Sequence, residues 1–107
     1  MNIIDEKLKA QYPNVIFDAT TVIIEAEVPV SENTPIGTLV KYVNGQFSIV
    51  NLTNDVPVGV IIEPNPNGKS KILIRGLYRG QWYWFNQNIN SYDYYPSRFI
   101  LNVIRIE

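Results

Sequence analysis

From Thr20 onward, apolar and polar positions alternate with the period of two that sends successive side chains to opposite faces of a β-strand. Val22, Ile24, Ala26 and Val28 alternate with Ile23, Glu25 and Glu27, which predicts a half-buried strand with a polar outer face. Pro29 and the run Ser31-Glu32-Asn33-Thr34-Pro35 predict the loop that ends it.

The sharpest local signal is Asn44-Gly45, set between alternating runs in Lys41-Tyr42-Val43-Asn44-Gly45-Gln46-Phe47. A two-residue type I′ turn needs positive φ at both central residues, and Asn-Gly tolerates it. Such a turn fixes the register. It sets Val43 opposite Gln46, Tyr42 opposite Phe47, Lys41 opposite Ser48 and Val40 opposite Ile49. Tyr42, Phe47, Val40 and Ile49 then share one face, so turn chemistry and binary pattern point to the same hairpin.

A second hairpin is predicted from Pro57-Val58-Gly59-Val60-Ile61-Ile62 and Lys71-Ile72-Leu73-Ile74-Arg75, joined by a turn-rich loop over residues 63–69. Gly76 and Gly80 punctuate the stretch after it. Gln81-Trp82-Tyr83-Trp84-Phe85 is a strand by propensity. Residues 86–97 read as a polar, tyrosine-rich extended loop, and residues 99–106 as a closing strand apolar on both faces. Residues 1–18 read as an N-terminal arm. Asp5 to Gln11 has room for one or two helical turns, and Tyr12-Pro13-Asn14 stops them, because a residue before proline disfavours the helical region. The expected fold is all-β: a small β-barrel or β-sandwich of about six short strands over residues 19–107, behind the arm. The interior of a small barrel fills with side chains and leaves little room for a ligand.

Composition narrows the function classes. A chain of 107 residues is the size of one domain, and 46% hydrophobic with 18% charged residues is globular, not disordered. With no cysteine and no histidine, disulfides, thiolate nucleophiles and zinc sites of the usual N/S type are excluded. Met1-Asn2-Ile3-Ile4-Asp5-Glu6-Lys7 lacks the basic region and apolar run of a signal peptide, and no apolar stretch approaches the ~20 residues that span a membrane. The formal net charge of −1 comes without a basic stripe, which argues against nucleic acid as a partner. The charge is nonetheless uneven: residues 1–54 balance at −3 and residues 55–107 at +2, an asymmetry that suits association between copies.

No constellation points to catalysis. General acid–base work is most often done by histidine, which is absent. Glu25 and Glu27 fall on one strand face, as a solvated face would have them, and the glycines sit singly at turns and form no phosphate cradle. No cofactor is expected. The unusual feature is aromatic. Trp82, Tyr83, Trp84 and Phe85 are consecutive and so point to both faces of a strand; one pair can serve the core, and the other needs cover. Tyr92, Tyr94 and Tyr95 come next in a polar loop, with Arg79 and Arg98 flanking the region. Tyrosine, tryptophan and arginine are the favoured anchors of protein interfaces. The expected interface is therefore Tyr12, Arg79, Trp82, Tyr83, Trp84, Phe85, Tyr92, Tyr94, Tyr95 and Arg98. Two alternatives stand beside it. The loop can fold back over its own aromatic strand. Or the aromatics form a carbohydrate platform, with Asn86, Gln87, Asn88 and Asp93 as partners for hydroxyls.

An ordered set of pieces spans residues 28–76. Thr34-Pro35-Ile36-Gly37-Thr38-Leu39-Val40 precedes the Asn44-Gly45 hairpin. After the hairpin come Asp55-Val56-Pro57-Val58-Gly59-Val60-Ile61 and then Gly68-Lys69-Ser70-Lys71-Ile72-Leu73-Ile74-Arg75-Gly76. In order and spacing this segment, somewhat under half the chain, resembles the core of tailed-bacteriophage capsid decoration proteins, also called head cement proteins. The resemblance implies a structural protein of the virion, without enzymatic activity, assembled in the host cytoplasm and carried on the capsid exterior. It implies the major capsid protein as a partner, together with further copies of the chain or other head proteins such as fibres. The family pattern usually ends soon after the last glycine, whereas this chain continues for about thirty residues through the aromatic segment. That departure implies a different symmetry from the familiar trimer or a platform for another head protein. A fibre or tail interaction domain, and a carbohydrate-binding module on a virion surface, remain the other readings.

Overall fold

The computed structural model describes residues 10–50, 55–84, 89–90, 99–100 and 102–106. The strands are β1 (Val15–Ile16), β2 (Val22–Glu27), β3 (Leu39–Val43), β4 (Gln46–Ile49), β5 (Gly59–Glu63), β6 (Lys69–Arg79), β7 (Tyr83–Trp84), β8 (Ile89–Asn90), β9 (Phe99–Ile100) and β10 (Val103–Ile106). The protein is all-β, as the alternation predicts. Eight strands form one open sheet in the order β4-β3-β5-β6-β10-β9, with β1 and β2 also paired to β6; β7 and β8 form a separate ribbon. Among the described residues the sheet does not close into a barrel.

The β3–β4 hairpin has the register that Asn44-Gly45 dictates, from Val43 opposite Gln46 to Val40 opposite Ile49. Asn44 and Gly45 have φ of 54° and 79°, the positive pair a type I′ turn requires.

β6 is the spine. Its first half lies between β2 and β5, both antiparallel to it. Its second half runs through Gly76 to Arg79, between antiparallel β1 and parallel β10. Gly76 therefore lies inside a strand and does not end it. Residues 99–106 form β9 and β10, paired antiparallel, and not one strand.

Because the central strands are covered on both faces, they are apolar on both. On one face Tyr12, Val15, Leu39, Val60, Ile62, Leu73, Tyr78, Trp82 and Val103 form the larger core. On the other, Val28, Val40, Ile61 and Ile72 pack with Ile24, Ala26, Phe47, Ile49 and Ile74. Each fully buried aliphatic side chain contributes roughly 1.5–3 kcal/mol.

Two irregularities set the phase. Val22 pairs with Arg75 but Ile23 with Leu73, so Ile74 is the extra residue of a β-bulge. On β5, Ile61 pairs with Ile72 and Glu63 with Lys71, so Ile62 is extra there.

The arm expected over residues 1–18 is part of the fold from Tyr12 onward. Tyr12 is 4% exposed, Val15 and Ile16 pair with β6, and Arg79 donates its backbone N–H to the Asn14 carbonyl. An aromatic ring with an apolar dipeptide close behind it gains more from burial than from solvation. Residues 1–9 lie outside the described residues.

Candidate interaction surface

The bulge at Ile74 decides what the second half of β6 presents. Beyond it, Gly76 and Tyr78 turn toward the larger core, so Arg75, Leu77 and Arg79 turn to the opposite face. Directly opposed residues share a face. Leu77 is opposed by Ile16 on β1 and by Ile104 on β10, which makes an apolar row across three strands. Val22 opposes Arg75 and Ile106 opposes Arg79. The row is partly open to solvent: Ile104 is 39% exposed and Ile16 and Leu77 are half-buried, with Val22, 38% exposed, beside it on β2. Arg75 and Arg79 are exposed on either side of Leu77 along β6, about 13 Å apart, and form no ion pair with the described residues.

The larger core on the reverse face stiffens this surface. Tyr78 and Trp82 stack nearly parallel, with ring centroids 6.3 Å apart and planes 4° apart. The Arg105 guanidinium lies 5.8 Å from the Trp82 ring centre, and its Nε donates to the Gly80 carbonyl. The Tyr78 hydroxyl donates to the Gln81 carbonyl at 3.1 Å. Burial pushes the Tyr78 hydroxyl up to about 12; nearby Tyr83 adds to the rise and Arg105 opposes it. Gly37 holds the 81–83 segment in place. Its N–H donates to the Ile61 carbonyl at 2.8 Å, its carbonyl accepts from Tyr83 N–H at 2.9 Å, and its φ is 105°.

A polar network ties the N-terminal segment to the same core face. The Tyr12 hydroxyl donates to Glu63 Oε1 at 3.2 Å, and Gln11 Nε2 donates to the same oxygen at 3.3 Å. Lys71 Nζ lies 3.7 Å from Glu63, 3.8 Å from Glu25 and 5.8 Å from the Tyr12 ring centre. Desolvation holds the Tyr12 hydroxyl above its ordinary range, while the bond to Tyr12 raises Lys71. The bulge at Ile62 places Glu63 in this cluster.

The interface residues expected from the sequence are not gathered in one place. Tyr12 and Trp82 are core residues, 4% and 0% exposed, so neither is available to a partner. Their rings fill space between elements of the same chain. Tyr83 is half-buried and bridges to Thr38. Arg79 stands exposed at one end of the open face. Trp84 pairs its backbone with Ile89 on β8. Phe85, Tyr92, Tyr94, Tyr95 and Arg98 lie outside the described residues, as do the expected sugar partners Asn86, Gln87, Asn88 and Asp93.

Sequence reasoning missed Ile16, Leu77 and Ile104. A usable signal was there: Arg75-Gly76-Leu77-Tyr78-Arg79 places arginine, leucine and arginine at alternate positions.

Elsewhere, a cleft of about 430 Å³ opens between the end of β2, the edge strand β4 and the β5–β6 loop, lined by Glu27, Pro29, Gln46, Phe47, Ser48 and Asn67 among others. Tyr42 overhangs nearby, 53% exposed and stacked at a tilt on Phe47 with centroids 4.7 Å apart.

No protein-family model, no curated protein and no solved structure matches the chain.

Proposed function

We propose that this chain is a non-enzymatic auxiliary capsid protein that decorates a tailed-phage head and stabilises it by binding across capsid subunits. The observation that carries the docking part is the partly exposed apolar row Ile16–Leu77–Ile104, flanked along β6 by Arg75 and Arg79. An exposed apolar patch rimmed by arginine is costly to leave in water and marks a surface that meets another chain. The placement on a phage head is supported by the ordered segment 28–76. That segment builds β3, β4, β5 and most of β6, the strand that goes on to carry Leu77.

Binding the assembled shell in preference to its free subunits stabilises the shell by mass action. The partners in this reading are the major capsid protein and further copies of the chain. The test is co-sedimentation of the purified protein with heads stripped of their auxiliary protein. Saturable binding, with heads that withstand heating better, supports the reading; protein left in the supernatant refutes it.

Glycan binding is a second reading, favoured by the cleft beside Phe47 with its carboxylate, amide and hydroxyl lining. Chemical shifts at Phe47 and Asn67 that move on adding oligosaccharides support it, and an unmoved spectrum across a broad glycan panel refutes it.

A further inference from the structure

We propose that the free edge of β4 takes up an extended peptide of another protein as an added strand, in the cleft between β4 and the end of β2. The peptide it fits alternates apolar side chains and carries a basic one. The site is separate from the face that bears Ile104 and does not depend on the capsid reading.

The first observation is the parity of the backbone bonds. In an antiparallel hairpin, opposed residues alternate between pairs that exchange backbone bonds and pairs that do not. Val43 and Gln46, which close the two-residue turn, are a bonded pair. Val50 N–H donates to the Leu39 carbonyl at 3.0 Å, which fixes the same parity at the other end of the hairpin. Phe47 and Ile49 therefore direct their N–H and C=O groups away from β3. β4 is the last strand on its side of the sheet, and no described backbone group pairs with theirs. Its sequence, Gln46-Phe47-Ser48-Ile49, has no charge and no proline, and its pairing has no bulge. Those are the devices that keep other strands off an edge.

The second observation is the surroundings of that edge. β4 contributes Phe47 and Ser48 to the lining of the 430 Å³ cleft, the end of β2 contributes Glu27 with Val28 after it, and the β5–β6 loop contributes Asn67. Phe47 and Ile49 are half-buried and pack with Ile24 and Val30 on the second core. A strand added to β4 sends every other side chain to that face, where apolar ones extend its cover. Glu27 is the one charged residue among the described lining. It is exposed, lies opposite Lys69 on β6 and forms no ion pair with it, so it favours a basic residue in the occupant. A peptide strand uses the backbone groups, the apolar face and the carboxylate together, whereas a sugar has no ladder to match the alternating backbone groups.

Amide hydrogen exchange on the full chain is the first test. The Phe47 and Ile49 amides should exchange at least about tenfold faster than those of Ser48 and Val50, which are bonded to β3. Equal protection of all four means that the edge is already covered and overturns the proposal. Binders are then selected from a display library of random linear peptides, and exchange is repeated with the tightest. Enriched peptides should carry lysine or arginine among apolar residues and slow the Phe47 and Ile49 amides about tenfold. Methylating the peptide's backbone nitrogens should abolish binding, and Glu27→Lys, a change outside both cores, should weaken it about tenfold. No enriched peptide, binding that leaves the two amides unchanged, binding that survives methylation or Glu27→Lys, or a cleft whose resonances move only with oligosaccharides each overturns the proposal. Ile104→Asp should bind the peptide as wild type does, so the peptide site and the head-binding face stand or fall separately.

Discussion

Leu73 and Tyr78 are separated by an odd step on one strand, yet both side chains lie in the same core. A regular strand would send them to opposite faces. The extra residue at the Ile74 bulge restores the phase and turns Arg75, Leu77 and Arg79 outward together. Deleting Ile74 should therefore either expel Tyr78 from its stack on Trp82 or drive Leu77 and the arginines toward the core. The expected outcome is loss of cooperative unfolding and of dispersed amide resonances; a deletion variant with native-like dispersion contradicts the assignment.

Gly37 is a second fixed point. A Cβ there would overlap the Gln81 carbonyl oxygen and meet the Tyr78 hydroxyl at 2.9 Å, and its φ of 105° disfavours any side chain. Gly37→Ala should destabilise the domain by about 2–4 kcal/mol, read as a lowered urea midpoint. Gly45→Ala, at a turn with open space around it, should cost only about 1 kcal/mol.

Tyr78 gives the stability a pH dependence. Its hydroxyl ionises near 10.0 when unfolded and near 12 when folded. The unfolded state therefore loses its proton first, and the contribution is intact below about pH 10 and is lost as pH rises toward 12. The full loss is about 3 kcal/mol, and Tyr12, shifted in the same direction, adds to it. Urea midpoints measured from pH 8 to pH 12 should fall, and Tyr78→Phe should flatten the upper part of that fall.

Much of this fold is legible in the sequence because its strongest signals are local. Asn44-Gly45 fixes a register by itself, and the runs around Val60 and Leu73 announce strands buried on both faces. The interaction surface is less legible because it depends on two non-local facts. The bulge inverts the phase of β6, and the parallel strand β10 brings Ile104 beside Leu77 from far along the chain. Trp82 illustrates the converse error. Its residue type favours an interface, yet the Gly37 turn draws it into the core, where it is fully buried.

The two faces of the sheet should respond differently to substitution. Leu73→Ala removes a fully buried side chain and should cost about 2–5 kcal/mol. Ile104→Asp removes a side chain that is 39% exposed and should cost about 1–2 kcal/mol, less than Leu73→Ala. Comparable losses from both would mean the row is covered in the isolated chain.

The central claim is that this open face is where the protein meets other chains, and the most direct measurement is head binding by wild type against Ile104→Asp. Wild-type protein should co-sediment with stripped heads to saturation. The folded Ile104→Asp variant should bind at least tenfold more weakly, because docking would bury an unpaired carboxylate in the apolar contact. Equal binding by the two proteins, or a wild type that stays in the supernatant, would contradict the account.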